Sequence, residues 1–387
     1  MIDFSVPQET QMILDTLRRF IKDELQPHEA EVEEKQFVDP DLARELRNKA
    51  KSVGLFAMGF PEELGGGGLN AVDMCMCEEE FGFTKDALVR RAFGAIPGSL
   101  ENCVGEQREK YLLPAVAGDI NVALGMTEPE AGSDAAGIKT TAKRDGDDYI
   151  INGSKHFISD ADVADAFIIT AVTDPSKGAK GISAFLIDKD TPGFTLGRLQ
   201  YMMGLRATNH FELIFDNIRL PKSQMLGEEG TGLYQALSTI NKVRLGMVGG
   251  RSVGMARKLM QYSIEYAQQR TQFGKKIGDF QMVQAMLADM ATEIFAARMM
   301  VLNAAWETDQ GMDPREKVSM VKYYASEMLG RVADKSVQIF GGMGYCREMP
   351  LEQLYRDARV YRIFDGASDI HRVVIARSLL KNGQMPL

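Results

Sequence analysis

Apolar residues recur at helical spacing in the first third of the chain. One helical face is marked by Ile13, Leu17, Phe20 and Ile21, which follow the three- and four-residue steps of an amphipathic helix. We expect Pro27 to end this first helix, because proline disrupts a helix interior. A second helical pattern covers residues 42–53, and a third resumes at Ala71 after a glycine loop at positions 65–68.

The pattern changes between about residues 123 and 220, where apolar runs become short and rich in β-branched and aromatic residues. These runs lie at residues 149–151, 167–172, 182–187 and 211–215. Turn-forming pairs such as Asn152-Gly153 and Asp174-Pro175 separate them. We therefore predict a compact β domain of short antiparallel strands in the middle of the chain.

Helical spacing returns after Gly232 and continues almost to the end of the chain. The predicted segments run near residues 232–269, 281–308, 314–340 and 368–380. One stripe at four-residue spacing consists of Met282, Met286, Met290 and Ile294. Segments longer than about 25 residues are typical of a helical bundle, which often also forms an oligomer interface. The fold class is therefore predicted as α+β, with mostly helical structure on both sides of the β domain.

Composition restricts the class of protein further. With 387 residues, 45% of them hydrophobic, the chain can form two or three domains of about 100–200 residues each. We expect no membrane span, because no apolar stretch reaches about 18 residues. We also expect no secretory signal, because the sequence at residues 1–5 is not a basic region followed by an apolar run. The formal charge of -9 is spread along the chain, which argues against a nucleic-acid groove.

Four cysteines and four histidines lack the spacing of a disulfide framework or of a zinc site. A reducing, cytoplasmic compartment fits these counts.

Three short stretches combine small, aromatic or charged residues in ways that suit a flat or anionic ligand. Residues 125–134 are rich in glycine and hydroxyl groups, which let backbone amides approach a ligand closely. Residues 155–159 place an aromatic ring two positions before a serine on a predicted strand. Residues 270–275 place an arginine beside an aromatic residue and a glycine turn, which suits a pyrophosphate. Taken singly, the first stretch is more typical of a surface turn and the second of a core strand, whereas the third is as typical of a helix end as of a ligand site.

Two further stretches lie nearer the end of the chain. Residues 338–345 are rich in glycine, but their spacing and the absence of a preceding predicted strand exclude a Rossmann nucleotide site. Residues 364–369 place Asp365 in a loop just before the last predicted helix. A loop carboxylate is usually a solvated turn former, and its functional alternative is a general base that removes a proton next to a carbonyl.

In their order and spacing, these stretches resemble the acyl-CoA dehydrogenase family over essentially the whole chain. Further matching blocks lie at residues 151–155, 203–206 and 356–359, and at Ile370-His371-Arg372. The resemblance implies an N-terminal helical domain at 1–120, a middle β-barrel at 121–230 and a C-terminal four-helix bundle at 231–387. It also implies a homotetramer built as a dimer of dimers, with FAD between the β domain and the bundle.

The resemblance also implies which residues contact the ligands. Positions expected at FAD, some of them reaching the cofactor of a partner subunit, are Met126, Thr127, Ser133, Phe157, Ser159, Arg270, Phe273, Gln281, Gln338, Gly341, Gly342, Ala367 and Asp369. Positions expected at the acyl-CoA are Ser133, Asn241, Arg244 and Gly366. Phe157 replaces the tryptophan of most members, and Asp369 replaces a glutamine, which puts that contact in question. We expect no metal ligands.

The implied reaction is α,β-dehydrogenation of an acyl-CoA, with an electron-transferring flavoprotein as the acceptor. Asp365 occupies the position of the usual catalytic glutamate, and Val243 occupies the position at which some members carry an alternative glutamate. Aspartate is one methylene shorter, and a misplacement of about 1 Å lowers a rate by about 100-fold. The pocket could bring the α-carbon closer, or the substrate could differ. The reaction itself could also be a reduction of an enoyl-CoA, as in crotonobetainyl-CoA reductase, or a non-redox elimination.

Two further alternatives stay open on the sequence alone. Aspartate at this position resembles alicyclic acyl-CoA dehydrogenases, so a specialised alicyclic, branched or dicarboxylic acyl group is our first hypothesis. The charged residues near the expected acyl pocket are Lys85, Asp86, Arg90 and Arg91. We expect them to face solvent, and a dicarboxylyl-CoA becomes plausible only if they line the pocket. A flavin-binding scaffold without turnover is the non-catalytic alternative.

Overall fold

The computed structural model describes residues 6–383, which fold as helices, then a β-sheet, then helices, so the predicted α+β class is confirmed. The N-terminal helices are α1 (Gln8–Phe20), α2 (Glu29–Lys35), α3 (Pro40–Ser52), α4 (Ala71–Phe81), α5 (Asp86–Phe93) and α6 (Leu113–Ala117). The expectation that Pro27 ends the first helical segment is wrong. A π-helical turn and a 3-10 turn containing Pro27 continue the helical path into α2, because proline is tolerated in the first turn of a new helix.

Side-chain caps fix where two of these helices begin. The carboxylate of Asp39 accepts a hydrogen bond from the Asp41 amide at 2.8 Å, and Pro40 occupies the first turn of α3. Helix α4 begins after Asn70, whose side chain accepts from the Asp73 amide at 2.8 Å. These caps satisfy amides that have no partner within the helix, so each start is specified locally.

The middle of the chain forms one eight-stranded sheet. Its strands are β1 (Val122–Gly125), β2 (Thr141–Asp145), β3 (Asp148–Ser159), β4 (Ala166–Val172), β5 (Ile182–Asp188), β6 (Phe194–Leu199), β7 (His210–Pro221) and β8 (Met225–Leu226). The order is β6-β7-β3-β2-β4-β5-β8, with β1 parallel to β4. The predicted short antiparallel strands need two corrections: β3 and β7 each have 12 residues, and β1 pairs in parallel.

The last part of the chain is a bundle built around one long helix. Its elements are α7 (Gly232–Val243), α8 (Arg251–Gln269), the hairpin β9 (Thr271–Gln272) and β10 (Lys275–Lys276), α9 (Gln281–Asp309), α10 (Arg315–Phe340), α11 (Leu351–Val360) and α12 (Ser368–Asn382). Helix α10 packs against α8, α9, α11 and α12. The predicted segments 281–308, 314–340 and 368–380 match α9, α10 and α12. The predicted segment 232–269 is divided into α7 and α8, and α11 was not predicted.

A π-helical segment, Arg244–Gly250, joins α7 to α8. Glycines allow it and the start of α8 to lie directly on α4. A Cβ atom on Gly250 would lie 2.7 Å from the Cys75 carbonyl oxygen, and one on Gly254 would lie 1.7 Å from that of Glu79. π-Helical turns are rare overall, but those that occur often lie at functional sites. This one begins at Arg244.

The predicted apolar stripe of α9 is only partly covered. Met290 is fully buried and Ile294 is nearly so, whereas Met282 is 79% exposed. Among residues 6–383, no helix is both long and apolar enough to cross a membrane.

Candidate functional site

The loop between α11 and α12 holds Asp365 in an unusual backbone conformation. Its φ is 53°, and that of the following Gly366 is 96°. Aspartate adopts this left-handed region more readily than most other residues, so Asp365 suits the loop. A hydrogen bond of 3.0 Å from the Ser368 amide to the Arg362 carbonyl closes the turn.

Three cationic or basic side chains bind the carbonyls of this loop. Arg244 Nε donates to the Asp365 carbonyl at 2.7 Å, and His371 Nε2 lies 3.3 Å from the same oxygen. Lys322 Nζ donates to the Gly366 carbonyl. Arg244 also donates to Asn241 Oδ1 at 2.9 Å. The structure thus brings Asn241, Arg244 and Gly366, which were expected at the acyl-CoA, to the base candidate.

The carboxylate of Asp365 is available to a substrate. Among residues 6–383, no Lys, Arg or His nitrogen lies within 4.0 Å of its oxygens. Burial raises the pKa of Asp365 above its ordinary value, while Arg244, Lys322 and Arg90 act in the opposite direction. Burial also lowers the pKa of His371 to about 4, so this imidazole is neutral at pH 7. A half-buried carboxylate with a raised pKa and no ion-pair partner is suited to accept a proton.

Sequence reasoning missed Lys322, although the signal was present. This lysine lies on the buried face of α10, at four- and three-residue steps between Val318 and Ala325. Its side chain is fully buried. A lysine inside an apolar helical stripe is rare without a partner or a function.

A second group of candidates lies where β1 ends beside β3. The His156 amide donates to the Thr127 carbonyl at 2.8 Å, and Lys155 Nζ donates to the Met126 carbonyl at 3.1 Å. Phe157 follows at a β-bulge with a φ of 60°, and its side chain is 52% exposed. The bulge turns the ring out of the core, where it presents a free aromatic face.

A buried ion pair fixes this second group. Lys155 Nζ lies 2.7 Å from Glu128, whose carboxylate also accepts from the Thr140 amide at 3.1 Å. Burial lowers the pKa of Lys155 to about 8, although Glu128 acts to raise it. Ser159 lies at the end of the same strand and is half-buried. Ser133 is exposed in a bend between β1 and β2. Within the part of the chain that the structure describes, no hydrogen bond joins its side chain to this second group.

A third group lies at the far end of the bundle. It consists of Arg270, Phe273, Gln281, Gln338, Gly341 and Gly342, all of them exposed. Phe273 at the tip of the hairpin is 94% exposed, and a Cβ on either glycine would meet no atom within 4 Å. Along α10, Lys322 and Gln338 are separated by about 24 Å at 1.5 Å per residue. Within one chain, this third group therefore does not meet Asp365.

The remaining candidates lie at the start of α12. Ala367 is the residue before the helix and provides no side-chain cap. The Ser368 hydroxyl is buried without a hydrogen-bond partner among the described residues. Asp369 is exposed and accepts a hydrogen bond from Arg372 at 2.8 Å. In the first turn of α12, the amides of Ser368 and Ile370 already donate to the carbonyls of Arg362 and Ala367.

The expectation that the charged segment of α5 faces solvent is wrong. Its ion pairs join Lys85 to Glu33, Asp86 to Arg251, and both Arg90 and Arg91 to Asp160. Burial alone would raise the pKa of Asp160, but the two guanidinium groups hold it well below its ordinary value. These charges are tolerated inside because each finds an opposite charge on another segment.

Comparison with known proteins agrees with this architecture. The family model described as acyl-CoA dehydrogenase, N-terminal domain matches residues 7–119, that of the middle domain matches 123–218, and that of the C-terminal domain matches 230–380. The chain is 39% identical to the caffeyl-CoA reductase-Etf complex subunit CarC of Acetobacterium woodii, covering 97% of this chain and 99% of that protein. It is 37% identical to the acyl-CoA dehydrogenase of Bacillus subtilis, with 97% and 99% covered.

Solved structures show the same similarity. Butyryl-CoA dehydrogenase from Megasphaera elsdenii superposes with a TM-score of 0.90 at 35% identity, covering 98% of this chain and 100% of that one. The FAD complex of PigA gives 0.92 at 31% identity, with 99% and 100% covered. The fold and the site define a flavin-dependent oxidoreductase, and the chain belongs to the acyl-CoA dehydrogenase family. It acts on acyl-CoA, with FAD as its cofactor.

The residues present fit FAD. The exposed ring of Phe157 offers a flat surface, and the hydroxyls of Thr127 and Ser159 lie on the neighbouring strand ends. The open glycine surface at Gly341 and Gly342 lets a ligand approach the backbone closely. We propose that each of these residues contacts FAD.

Proposed function

We propose that this protein dehydrogenates an acyl-CoA between its α and β carbons, with Asp365 removing the α-proton. When bound, FAD accepts the β-hydride. The observation that supports Asp365 most strongly is its unpaired, half-buried carboxylate, held in a loop whose carbonyls are bound by Arg244 and Lys322. In this proposal, the backbone amide of Asp365 stabilises negative charge on the thioester oxygen.

We further propose that the acyl group is uncharged and either alicyclic or branched. The cations closest to the base on α5 are already paired, since Arg90 and Arg91 share Asp160. Lys85 is likewise committed to Glu33. A carboxylate at the end of the acyl chain would therefore find no free cation among them. The short reach of Asp365 favours a compact acyl group that brings its α-carbon close to the base.

Anaerobic reduction of the flavin by a panel of acyl-CoAs tests this proposal. The panel contains linear, branched, alicyclic and dicarboxylic acyl groups, and loss of the flavin absorbance is followed in the stopped flow. We expect the alicyclic or branched thioesters to reduce the flavin fastest. A dicarboxylyl-CoA that reacts fastest would overturn the uncharged substrate class. If no acyl-CoA reduces the flavin of the holoenzyme, dehydrogenation itself is contradicted.

The reverse reaction, reduction of an enoyl-CoA, is a second candidate. One specific observation favours it, since the relatives named as reductases include CarC and, at 37% identity, the acryloyl-CoA reductase (NADH) of Anaerotignum propionicum. Mixing the reduced holoenzyme with enoyl-CoAs separates the two directions. Reoxidation faster than the forward reduction with the matching acyl-CoA favours a reductase. An acyl-CoA with a leaving group at its β-carbon that is converted to the enoyl-CoA without any flavin change would indicate a non-redox elimination.

We also propose an electron-transferring flavoprotein as the redox partner. The name of CarC places that relative in a complex with Etf. The same kind of partner fits a flavin that must pass its electrons on after each turnover.

We propose a homotetramer, because several apolar side chains are left uncovered. Phe273, Met282 and Phe295 are 94%, 79% and 66% exposed on the hairpin and on α9. The third group of cofactor candidates also lies far from Asp365 within one chain, so a second copy would complete each site. Large exposed apolar surfaces usually mark an interface.

Mass photometry of the Phe295→Asp variant checks this assembly. We expect a tetramer for the wild type and smaller species for Phe295→Asp, because a carboxylate disfavours burial in an apolar contact. Met12→Asp, at a residue that is 64% exposed on α1, is the matched control and should remain tetrameric. A monomeric wild type would contradict the proposal.

A further inference from the structure

Lys322 is a buried cation without a counter-ion. Its side chain is fully buried in α10, and no carboxylate oxygen of residues 6–383 lies within 4.0 Å of its nitrogen. Burial lowers the pKa of Lys322 to about 8. An uncompensated buried charge is destabilising. The stability of the fold therefore does not explain why the buried ammonium of Lys322 lies beside the loop that carries Asp365.

The only hydrogen bond of this ammonium within the described residues goes to the Gly366 carbonyl. Arg244 binds the preceding carbonyl, that of Asp365, at 2.7 Å. A trans peptide is planar, with its carbonyl and its amide pointing in opposite directions. Fixing these two carbonyls therefore also fixes the amides of Gly366 and Ala367, which point away from the two cations.

The loop has little freedom to adopt another arrangement. A Cβ atom on Gly366 would lie 2.8 Å from His371 Nε2 and 3.2 Å from Arg244 Nη2. The φ of 96° at Gly366 is itself accessible mainly to glycine. Because these contacts are so close, a shift of the Gly366 carbonyl after loss of its bond to Lys322 would also displace the rest of the loop, including Asp365.

Electrostatics gives the ammonium a second effect. Asp365 and Lys322 are surrounded by groups from the π-helical segment, α5, α10 and α12, which are Arg244, Arg90, Glu327 and His371. Burial raises the pKa of Asp365, and Lys322 is one of the cations that oppose this rise. A base must be ionised before it can accept a proton.

We propose that Lys322 is a positioning residue for the base loop: it holds the Gly366 carbonyl and keeps a positive charge behind the Asp365 carboxylate. This inference rests on the proposed function, because it assumes that Asp365 removes the α-proton. Lys322 acts through the loop rather than by contact with the substrate or the flavin.

The pH dependence of flavin reduction in Lys322→Met and Lys322→Gln holoenzymes tests the proposal. Removing the positive charge raises the pKa of Asp365, so the acid limb of kcat/KM should move to higher pH in both variants. At the pH optimum, we expect the Met variant to lose about 100-fold in kcat through loop displacement, with little change in KM. Gln keeps a hydrogen-bond donor, so it should recover part of kcat while retaining the shifted acid limb.

Two controls separate positioning from a general structural effect. Lys317→Met removes a lysine from the same helix that pairs with Glu307, and it should leave the pH profile unchanged. In an Asp365→Asn background, Lys322→Met should cause little further loss, because the residue it supports is already gone. An acid limb that stays in place in both Lys322 variants overturns the inference, as do losses that multiply in the double variant.

The outcome also distinguishes this inference from the proposed function. If Asp365→Asn alone reacts like the wild type, the assignment of the base fails regardless of Lys322. If Asp365→Asn is inactive while both Lys322 variants match the wild type in rate and pH profile, only the positioning role fails. Should Lys322→Met bind no FAD, the Gln variant decides by the same readouts.

Discussion

Replacing Asp365 by Asn should lower kcat for dehydrogenation by about 100- to 10,000-fold, the usual contribution of a general base. Asparagine keeps the size of the side chain and tolerates the left-handed φ of 53°, so the loop should keep its shape. Only the ability to accept a proton is lost. Steady-state turnover with an artificial electron acceptor, at matched flavin content, gives the measurement.

The pH dependence and two further variants make this prediction sharper. Because burial raises the pKa of Asp365, the wild-type kcat/KM should fall as the pH drops through a value above the ordinary range of aspartate. Asp313→Asn, in an exposed loop outside the site, should leave turnover unchanged. Asp365→Glu should restore the family's usual base and shift the preference among acyl groups. An Asn variant with wild-type turnover would contradict the role of Asp365.

Of the variants named here, Asp160→Asn should have the largest decrease in the free energy of unfolding. The carboxylate of Asp160 is buried and accepts from Arg91 Nη1 and Arg90 Nε at 2.7 and 2.6 Å. Asparagine fits the φ of 59° at this position but leaves the buried guanidinium of Arg91 and the half-buried one of Arg90 without their anion. Breaking a buried ion pair in this way lowers the free energy of unfolding by about 3–5 kcal/mol. Thermal denaturation followed by flavin fluorescence should show a clearly lower Tm.

The matched control is Asp15→Asn on the surface of α1. Asp15 pairs with Arg18 at 2.9 Å, with both side chains largely exposed, and such a pair contributes about 0–1 kcal/mol. The two variants remove the same chemical group, so their difference isolates burial. Equal Tm values for both variants would show that the ion pairs of Asp160 with Arg90 and Arg91 do not hold α5 against the β domain.

Much of the fold could be predicted because the apolar spacing changes along the chain. The three-to-four-residue spacing locates α9 and α10, and the short β-branched runs locate β4 and β5. The path through Pro27 and the parallel pairing of β1 with β4 could not be predicted in this way. Both depend on what the segment packs against, which local patterns do not contain.

Most of the site was predictable from short ordered blocks and from the family resemblance that they carry. Asp365 and Gly366 lie in one such block, Arg244 was expected from the resemblance, and the structure brings the three residues together. Lys322 was missed because a single lysine in a helix is usually solvated, although its apolar neighbours indicated a buried position. The solvent-facing assignment of Arg90 failed because its partner Asp160 is about 70 residues away in sequence, and only the tertiary fold joins them.

The most direct measurement of the role of Asp365 is exchange of the substrate α-proton in deuterium oxide. A 3-thia-acyl-CoA has sulfur in place of the β-carbon and cannot deliver a hydride, so exchange followed by NMR reports proton removal alone. We predict that the wild-type holoenzyme exchanges the α-protons and that Asp365→Asn exchanges them at least about 100-fold more slowly, although both bind the ligand with similar affinity. Equal exchange rates in the two proteins would contradict Asp365 as the base.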